Sequence, residues 1–237
     1  MTTYFISDIH LSDQDHTCEL LLKFLREQAI HAEALYILGD LFAIWFGDDL
    51  DLPYARELYN ALQQLKSQNI ALYFMRGNRD FLIGKQFCAN TGSQLLNDPC
   101  VIDLYGQKVL LTHGDLLCTQ DTSYQRFRKV VQNPLVKSCF LILPKTWRIK
   151  IGHWVKRHVM QSSTKTGNYK PAIFDVDQAT VEQWLKKYQV ASMIHGHTHR
   201  PGLHKSGMTT RYVLGDWQAP TIKILKVDKQ NFNLIGL

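Results

Sequence analysis

Apolar residues along this chain gather in short runs that end abruptly in glycine or polar residues. Tyr4 to Ile6, Ala34 to Leu38, Ile70 to Met75, Lys108 to Thr112 and Val190 to Ile194 are runs of this kind, rich in Ile, Val, Leu, Tyr and Phe, and they predict buried strands. Between the first three lie stretches with apolar residues three and four apart, Cys18 to Gln28 and Tyr54 to Ser67, which predict amphipathic helices. Strand-helix alternation places the chain in the α/β class with a layered sheet. Arg211 to Leu214 and Thr221 to Val227 add strands with no long helix between them, which favours a mixed sheet or a two-sheet sandwich over a purely parallel one. From Tyr124 to Met160 the texture changes, because basic residues are interleaved with Val, Leu, Ile, Phe and Trp. Pro134 and Pro144 are expected to break this stretch into two or three short helices. It reads as a helical cap, over approximately 122–174, inserted into a single domain spanning 1–237, and its apolar runs are too short to cross a bilayer.

Composition adds little to the pattern except through charge. The 237 residues are 45% hydrophobic and 20% charged, as expected of a soluble globular protein with one core. The net charge is +6, but the stretch from Thr122 to Phe174 holds eleven Lys and Arg and no acid, leaving −5 on the rest of the chain. An acid-free basic segment points to an anionic partner, whether nucleic acid, phospholipid surface or phosphorylated substrate. Met1-Thr2-Thr3 leads straight into the first strand without the pattern of a secretory leader. Five widely spaced cysteines with no Cys-x-x-Cys pair argue against a disulfide framework or a thiolate zinc site. A reducing cytoplasm is the expectation.

Five predicted strands finish in metal-ligand residues: Asp8 and His10, Asp40, Asn78-Arg79-Asp80, His113-Gly114-Asp115, and His197 and His199. Carboxyl ends of strands in open α/β sheets converge on one crevice, so these residues are expected to meet in space. Asp8-x-His10 and His197-x-His199 are expected to present both side chains on one face through the two-residue period of a strand. Seven ligands, Asp8, His10, Asp40, Asn78, His113, His197 and His199, exceed the needs of one catalytic ion but fit two that share a carboxylate. Two such ions activate water against a phosphorus-oxygen bond. The donors are carboxylate, imidazole and amide, which suit Mn²⁺, Fe²⁺ or Zn²⁺.

These blocks, in this order, resemble the calcineurin-like metallophosphoesterase family, whose pattern is D-x-H, G-D, G-N-[HR]-[DE], G-H or H-G-D, and G-H-x-H. The resemblance implies a two-sheet β-sandwich flanked by helices. It also implies a first metal on Asp8, His10, Asp40 and His199, and a second on Asp40 as bridge, Asn78, His113 and His197, with Mn²⁺ the expected ion. Within the family, the text around these blocks, such as Gly77-Asn78-Arg79-Asp80-Phe81-Leu82 and Val213-Leu214-Gly215-Asp216-Trp217, is similar to the branch that cleaves the diphosphate of UDP-linked diacylated glucosamine. That similarity covers nearly the whole chain, the basic insertion included. It implies catalytic roles for Asn78, Arg79 and His113 and substrate contacts from Asn78, Arg79, Asp121, Ser163, Asn168, Lys170, His195 and His197. It further implies a place on the cytoplasmic face of the inner membrane. One departure is Ala43, where that branch carries an acidic residue.

Arg79 bears on the choice of bond. Many family members carry a His there, able to protonate an alkoxide leaving group, whereas a guanidinium keeps its charge and gives up no proton near neutrality. A diphosphate departs as a phosphate monoester and needs little protonation. Two other readings stand beside this one, hydrolysis of nucleotides or cyclic nucleotides and nucleic-acid binding by the basic segment. Arg79 and the lipid-compatible insertion disfavour the first, the complete ligand set disfavours the second, and no nucleic-acid partner is expected. His195 reads equally as a substrate contact or as a buried neighbour that orients a ligand. His16, His31, His153, His158 and His204 read as surface residues, Asp48, Asp49 and Asp51 as a solvated acidic loop, and Trp147 and Trp154 as interface or core residues.

Overall fold

In β1 (Thr3–Ile6), Phe5 joins one set of buried side chains and Tyr4 and Ile6 another, as the two-residue period of a strand requires. The same division recurs in β2 (Ala34–Leu38), where Leu35 and Ile37 face one way and Tyr36 and Leu38 the other, and in β3 (Ala71–Met75), where Phe74 and Met75 part company. Each strand is apolar on both faces because each face meets a different layer. The computed structural model describes residues 1–12, 16–50, 52–155 and 175–237.

Two sheets result. The first has the order β11 (Phe232–Gly236), β10 (Lys223–Val227), β1, β2, β3, β4 (Gln94–Leu96), with β1 to β4 parallel and β10 antiparallel to both neighbours. The second has the order β5 (Cys100–Leu104), β6 (Gln107–Leu111), β7 (Ser192–His195), β9 (Thr209–Val213), β8 (Gly202–Ser206), parallel through β6, β7 and β9 and antiparallel at its edges. Phe5, Leu38, Met75, Val109, Ile194 and Leu225 fill the space between the sheets. Helices α1 (His16–Glu27), α2 (Pro53–Ser67) and α3 (Lys85–Thr91) cover the outer face of the first sheet. The fold is thus the helix-flanked two-sheet sandwich.

Between the two halves of the second sheet come α4 (Thr122–Val131), α5 (Pro134–Ile142) and α6 (Lys145–Val155). Asp121 caps α4 by accepting from Tyr124 N at 2.9 Å, Asn133 caps α5, and Pro134 takes the first helical turn, where its missing N–H costs nothing. α7 (Gln178–Tyr188) then covers the second sheet, with Val181 and Leu185 against Leu110 and Met193. In α4 and α5 no residue is buried, and in α6 only Arg148 is, at 2% exposure. No helix among the described residues is long and apolar enough to cross a membrane.

Arg148 corrects the expectation of a solvated acidic loop. Its guanidinium forms a two-pronged pair with Asp49 (2.8 and 2.5 Å) and donates to the carbonyls of Phe46 and Leu143, tying α6 to the loop after β2. Asp48 is likewise engaged, accepting from Trp45 Nε1 at 3.0 Å and from the backbone of Gly84 and Phe87 at the start of α3. A buried cation and an unsatisfied helix N-terminus each need an anion, and these two aspartates supply them. Asp51 lies outside the described residues, as does His158.

Candidate metal centre

β1, β2, β3, β6 and β7 all end at one edge of the sandwich, and the residues that follow them meet there. The edge draws from both sheets. Past their strands the chains kink: Asp8, His10, Asp40, His197 and His199 have φ between 53° and 70°. This left-handed region is sparsely used by residues with a Cβ and is associated with functional sites. The expectation that a continuing strand aims the D-x-H and H-x-H pairs is therefore corrected. β1 ends at Ile6 and β7 at His195, and the ligand side chains are aimed by left-handed loop residues.

Glycines let these loops close on one another. A Cβ on Gly77 would sit 2.2 Å from Asp40 Oδ1 and 2.4 Å from Asp40 N, and one on Gly196 would sit 2.2 Å from Ser7 Oγ and 2.3 Å from Asp8 Oδ2. Fully buried Asp80 laces the second and third loops together by accepting from Leu41 N (2.8 Å) and Gly77 N (2.7 Å). Burial and the neighbouring Asp40 raise its pKa to about 7. Asp8 Oδ2 accepts from Ser7 Oγ (2.6 Å) and His197 N (2.8 Å), joining the first loop to the last.

Within this frame Asp40 is central. Its Oδ2 lies 3.8 Å from His10 Nδ1 and 3.4 Å from Arg79 Nε, and its Oδ1 lies 3.7 Å from His113 Nε2. Asn78 Oδ1 is 2.9 Å from His113 Nε2 and 3.0 Å from His197 Nδ1, while His10 Nε2 faces His199 Nε2 at 3.1 Å. The carbonyl of Leu38, 2.8 Å from His113 Nδ1, only accepts, so that nitrogen carries a proton, and whenever His113 is neutral its Nε2 lone pair is turned toward Asn78 and Asp40. Lone pairs converging in this way are reconciled by a proton or a cation.

Electrostatics point the same way. Burial opposes charge on His113, yet Asp40, Asp8 and Asp115 outweigh it and raise its pKa to about 9. His199 is raised to about 9 against the same opposition by Asp216 and Asp8. Burial would raise Asp8, but His199, His113 and His10 hold it well below the usual carboxylate range. Burial drives His10 and His197 down to about 4. The carboxylates of the cluster thus draw positive charge onto His113 and His199, a role that a bound cation would also fill. Asp8 Oδ1 and His10 Nδ1 are buried without a hydrogen-bond partner, and the trios Asp8, His10, His199 and Asp8, Asp40, His113 each bring ligand atoms within 4.8 Å of one another. Oxygen and imidazole donors of this kind, without thiolate, fit divalent cations.

The other candidate residues divide. Arg79 stands beside Asp40, and its backbone N–H donates to Asp40 Oδ1 at 2.8 Å. Asp121 sits at the head of α4, its carboxylate occupied with the cap. Of the two readings of His195, the geometry favours the buried neighbour over the substrate contact. It is fully buried, its Nδ1 is 2.8 Å from Gly196 O and its Nε2 is 3.0 Å from Arg211 Nη1, so it packs behind the His197 loop. Ser163, Asn168 and Lys170 lie outside the described residues.

Two partners of these candidate ligands lie outside the five motif blocks. Asp216 Oδ2 is 2.7 Å from His199 Nδ1, orienting that ring. Its signal is present, since Leu214-Gly215-Asp216 after β9 repeats the strand-Gly-Asp pattern of Leu38-Gly39-Asp40. Tyr124 of the cap stacks on His197 with centroids 6.1 Å apart and donates to Asp115 at 2.5 Å, and Arg128 Nε donates to the same carboxylate at 2.5 Å.

Residues 1–201 match the family model described as calcineurin-like phosphoesterase. The chain is 46% identical to the UDP-2,3-diacylglucosamine hydrolase of Serratia proteamaculans, over 99% of this chain and 98% of that one. It is 45% identical to the hydrolase of the same name from Pectobacterium carotovorum, over 100% and 99%. It is also similar to a solved archaeal phosphodiesterase, at 14% identity and a TM-score of 0.49 over the whole of both chains.

Proposed function

This chain belongs to the calcineurin-like phosphoesterase family, and on that premise we propose that it hydrolyses the diphosphate of UDP-2,3-diacylglucosamine. Water attacks the α-phosphorus, and the products are UMP and 2,3-diacylglucosamine 1-phosphate. The observation that carries the reading is the place of Arg79. At one side it stands 3.4 Å from Asp40, and at the other it lines a cavity of about 140 Å³ whose walls are otherwise almost wholly apolar, among them Phe46, Phe127, Phe140 and Ile151. A phosphate-handling cluster and a lipid-compatible chamber therefore share a wall. The relatives of the same length act, by their names, on a substrate with both features.

Asp8, His10, Asp40 and His199 are the residues to hold one divalent cation, and Asp40, Asn78, His113 and His197 those to hold a second, with Mn²⁺ the ion we favour. Such a pair supplies Lewis acidity, lowering the pKa of water and neutralising charge on phosphate oxygens. The protein's own groups do the rest. The Arg79 guanidinium meets charge developing on the diphosphate, donating hydrogen bonds but no proton. Asn78, fixed between His113 and His197, orients an oxygen of the scissile phosphate. The sugar-phosphate leaves as a stable anion, so no general acid is required of the cap.

The enzyme works, on this reading, from the cytoplasmic face of the inner membrane. Leu135, Ile142, Trp147 and Trp154 are exposed on the cap, Ile142 at 83%, within the acid-free basic segment. Apolar anchors amid cations suit an anionic lipid surface. The deciding assay supplies Mn²⁺ and UDP-2,3-diacylglucosamine in detergent and measures UMP, with Asp40→Ala and Asn78→Ala as controls. Absence of UMP, or release undiminished in the variants, overturns the proposal.

A further inference from the structure

The chamber beside Arg79 holds few polar donors, and two are spoken for. Trp45 Nε1 donates to Asp48, and Arg79, with Nε turned to Asp40, keeps its remaining N–H bonds for the diphosphate on the proposed function. Lys137, on α5, is the third. Its ammonium has three N–H bonds; one reaches Phe81 O at 3.2 Å and another Gln132 Oε1 at 2.6 Å, and the charge lies 5.5 Å from the Phe81 ring. Among the described residues no acceptor takes the third.

We propose that Lys137 is a specificity-determining residue that reads an acyl carbonyl oxygen of the lipid substrate. This inference rests on the diacylated substrate proposed above. A diacylglucosamine cannot enter an apolar chamber as plain hydrocarbon, because each chain is joined to the sugar through an amide or ester carbonyl. Such an oxygen loses its water on entry and is costly to bury unless a donor replaces that water. Lys137 hangs from the cap and is held at both ends of its reach, by Gln132 on the cap side and by Phe81 on the loop that carries Arg79. Its nitrogen is thus fixed relative to the residue that meets the diphosphate, and it serves as a gauge of the distance from phosphate to acyl linkage. Burial, helped by Arg76 and Arg128, lowers its pKa to about 8, and an added acceptor would favour its charged form. A chain without a carbonyl at that depth leaves the ammonium unmatched, which is the basis of discrimination.

The test compares UDP-2,3-diacylglucosamine with bis(4-nitrophenyl) phosphate, a phosphodiester that reaches the metal cluster without filling the chamber. Lys137→Met is expected to raise KM for the diacyl substrate about tenfold more than KM for the small diester, the weight of one hydrogen bond to a charged group. Lys137→Arg, which keeps a charged donor, is expected to recover much of that ratio. Equal changes on both substrates would show that Lys137 merely braces α5 and would overturn the inference, as would an unchanged ratio. If the wild-type enzyme releases no UMP from the diacyl substrate, the substrate reading falls and this inference with it. UMP release together with an unchanged ratio sinks the role of Lys137 alone.

Discussion

The hydrogen bond from His199 Nδ1 to Asp216 fixes both the ring's angle and its tautomer, and so directs Nε2 toward Asp8, 3.4 Å away. An amide in place of that carboxylate keeps the shape but removes the charge that makes the imidazole a better ligand. Asp216→Asn is expected to weaken metal affinity about tenfold to hundredfold, with excess Mn²⁺ restoring turnover; a Mn²⁺ titration of UMP release measures this, and an unmoved half-saturation point would deny Asp216 the role. Arg79→His is expected to lower diphosphate turnover by about tenfold or more, because a largely neutral imidazole replaces a fixed cation; unchanged turnover would remove the argument from leaving-group chemistry. The principal ligand candidates are legible in the sequence because each is a polar residue directly after an apolar run, a place where chance seldom puts Asp or His five times over. Asp216 is less legible only because one aspartate after a strand reads as a turn. His195 shows the limit of such reading: its two readings are told apart by burial behind the loop, which is invisible in its neighbours in sequence.

Elements differ in how plainly they announce themselves. β1, β2 and β3 are legible because both faces are buried, so every residue is apolar. β4 is three residues long, and β8 is a largely exposed hairpin arm, Gly202-Leu203-His204-Lys205-Ser206, so neither has an apolar run to find. α7 goes unread although Asp177 caps it and Val181 and Leu185 lie four apart. Asp49 could not have been assigned at all, since its partner Arg148 is 99 residues away. That pair gives an asymmetric prediction. Asp49→Asn strands a buried guanidinium, whereas Arg148→Met leaves a carboxylate that is 51% exposed and free to hydrate. Thermal melts should therefore show the greater loss for Asp49→Asn, about 2–3 kcal/mol, since a buried cation loses its counter-charge; the reverse order would mean that the pair contributes no more than its packing. Where the loop after β3 meets the loop after β2, Gly77→Ala forces a Cβ into Asp40. It is expected to lower kcat about a hundredfold while circular dichroism remains that of the folded protein, since displacements near 1 Å at a reacting centre cost that much.

At the scale of the whole molecule, a cluster of buried carboxylates and imidazoles that binds divalent cations is expected to be stabilised by them. With Mn²⁺ at about 100 times its dissociation constant, binding contributes about 2.7 kcal/mol, so chelation should lower Tm by roughly 5–10 °C; a chelator that leaves the melt unmoved would mean that the cluster is already neutralised by protons. The opposite polarity of cap and body predicts orientation on a surface. Sedimentation with anionic vesicles should be strong at low salt and fall as salt rises, and it should weaken when Ile142 and Trp147 are both changed to Ser. The left-handed backbone at Asp8, His10, Asp40, His197 and His199 has a consequence in time as well as in space. Each such residue holds its chain in a conformation that glycine would adopt freely, at about 1 kcal/mol or more apiece. On the proposed function, metal binding is the requirement that places side chains there. In a lineage that no longer met the substrate, glycine at these five places would ease the fold and, on the proposed metal site, would take a ligand away each time.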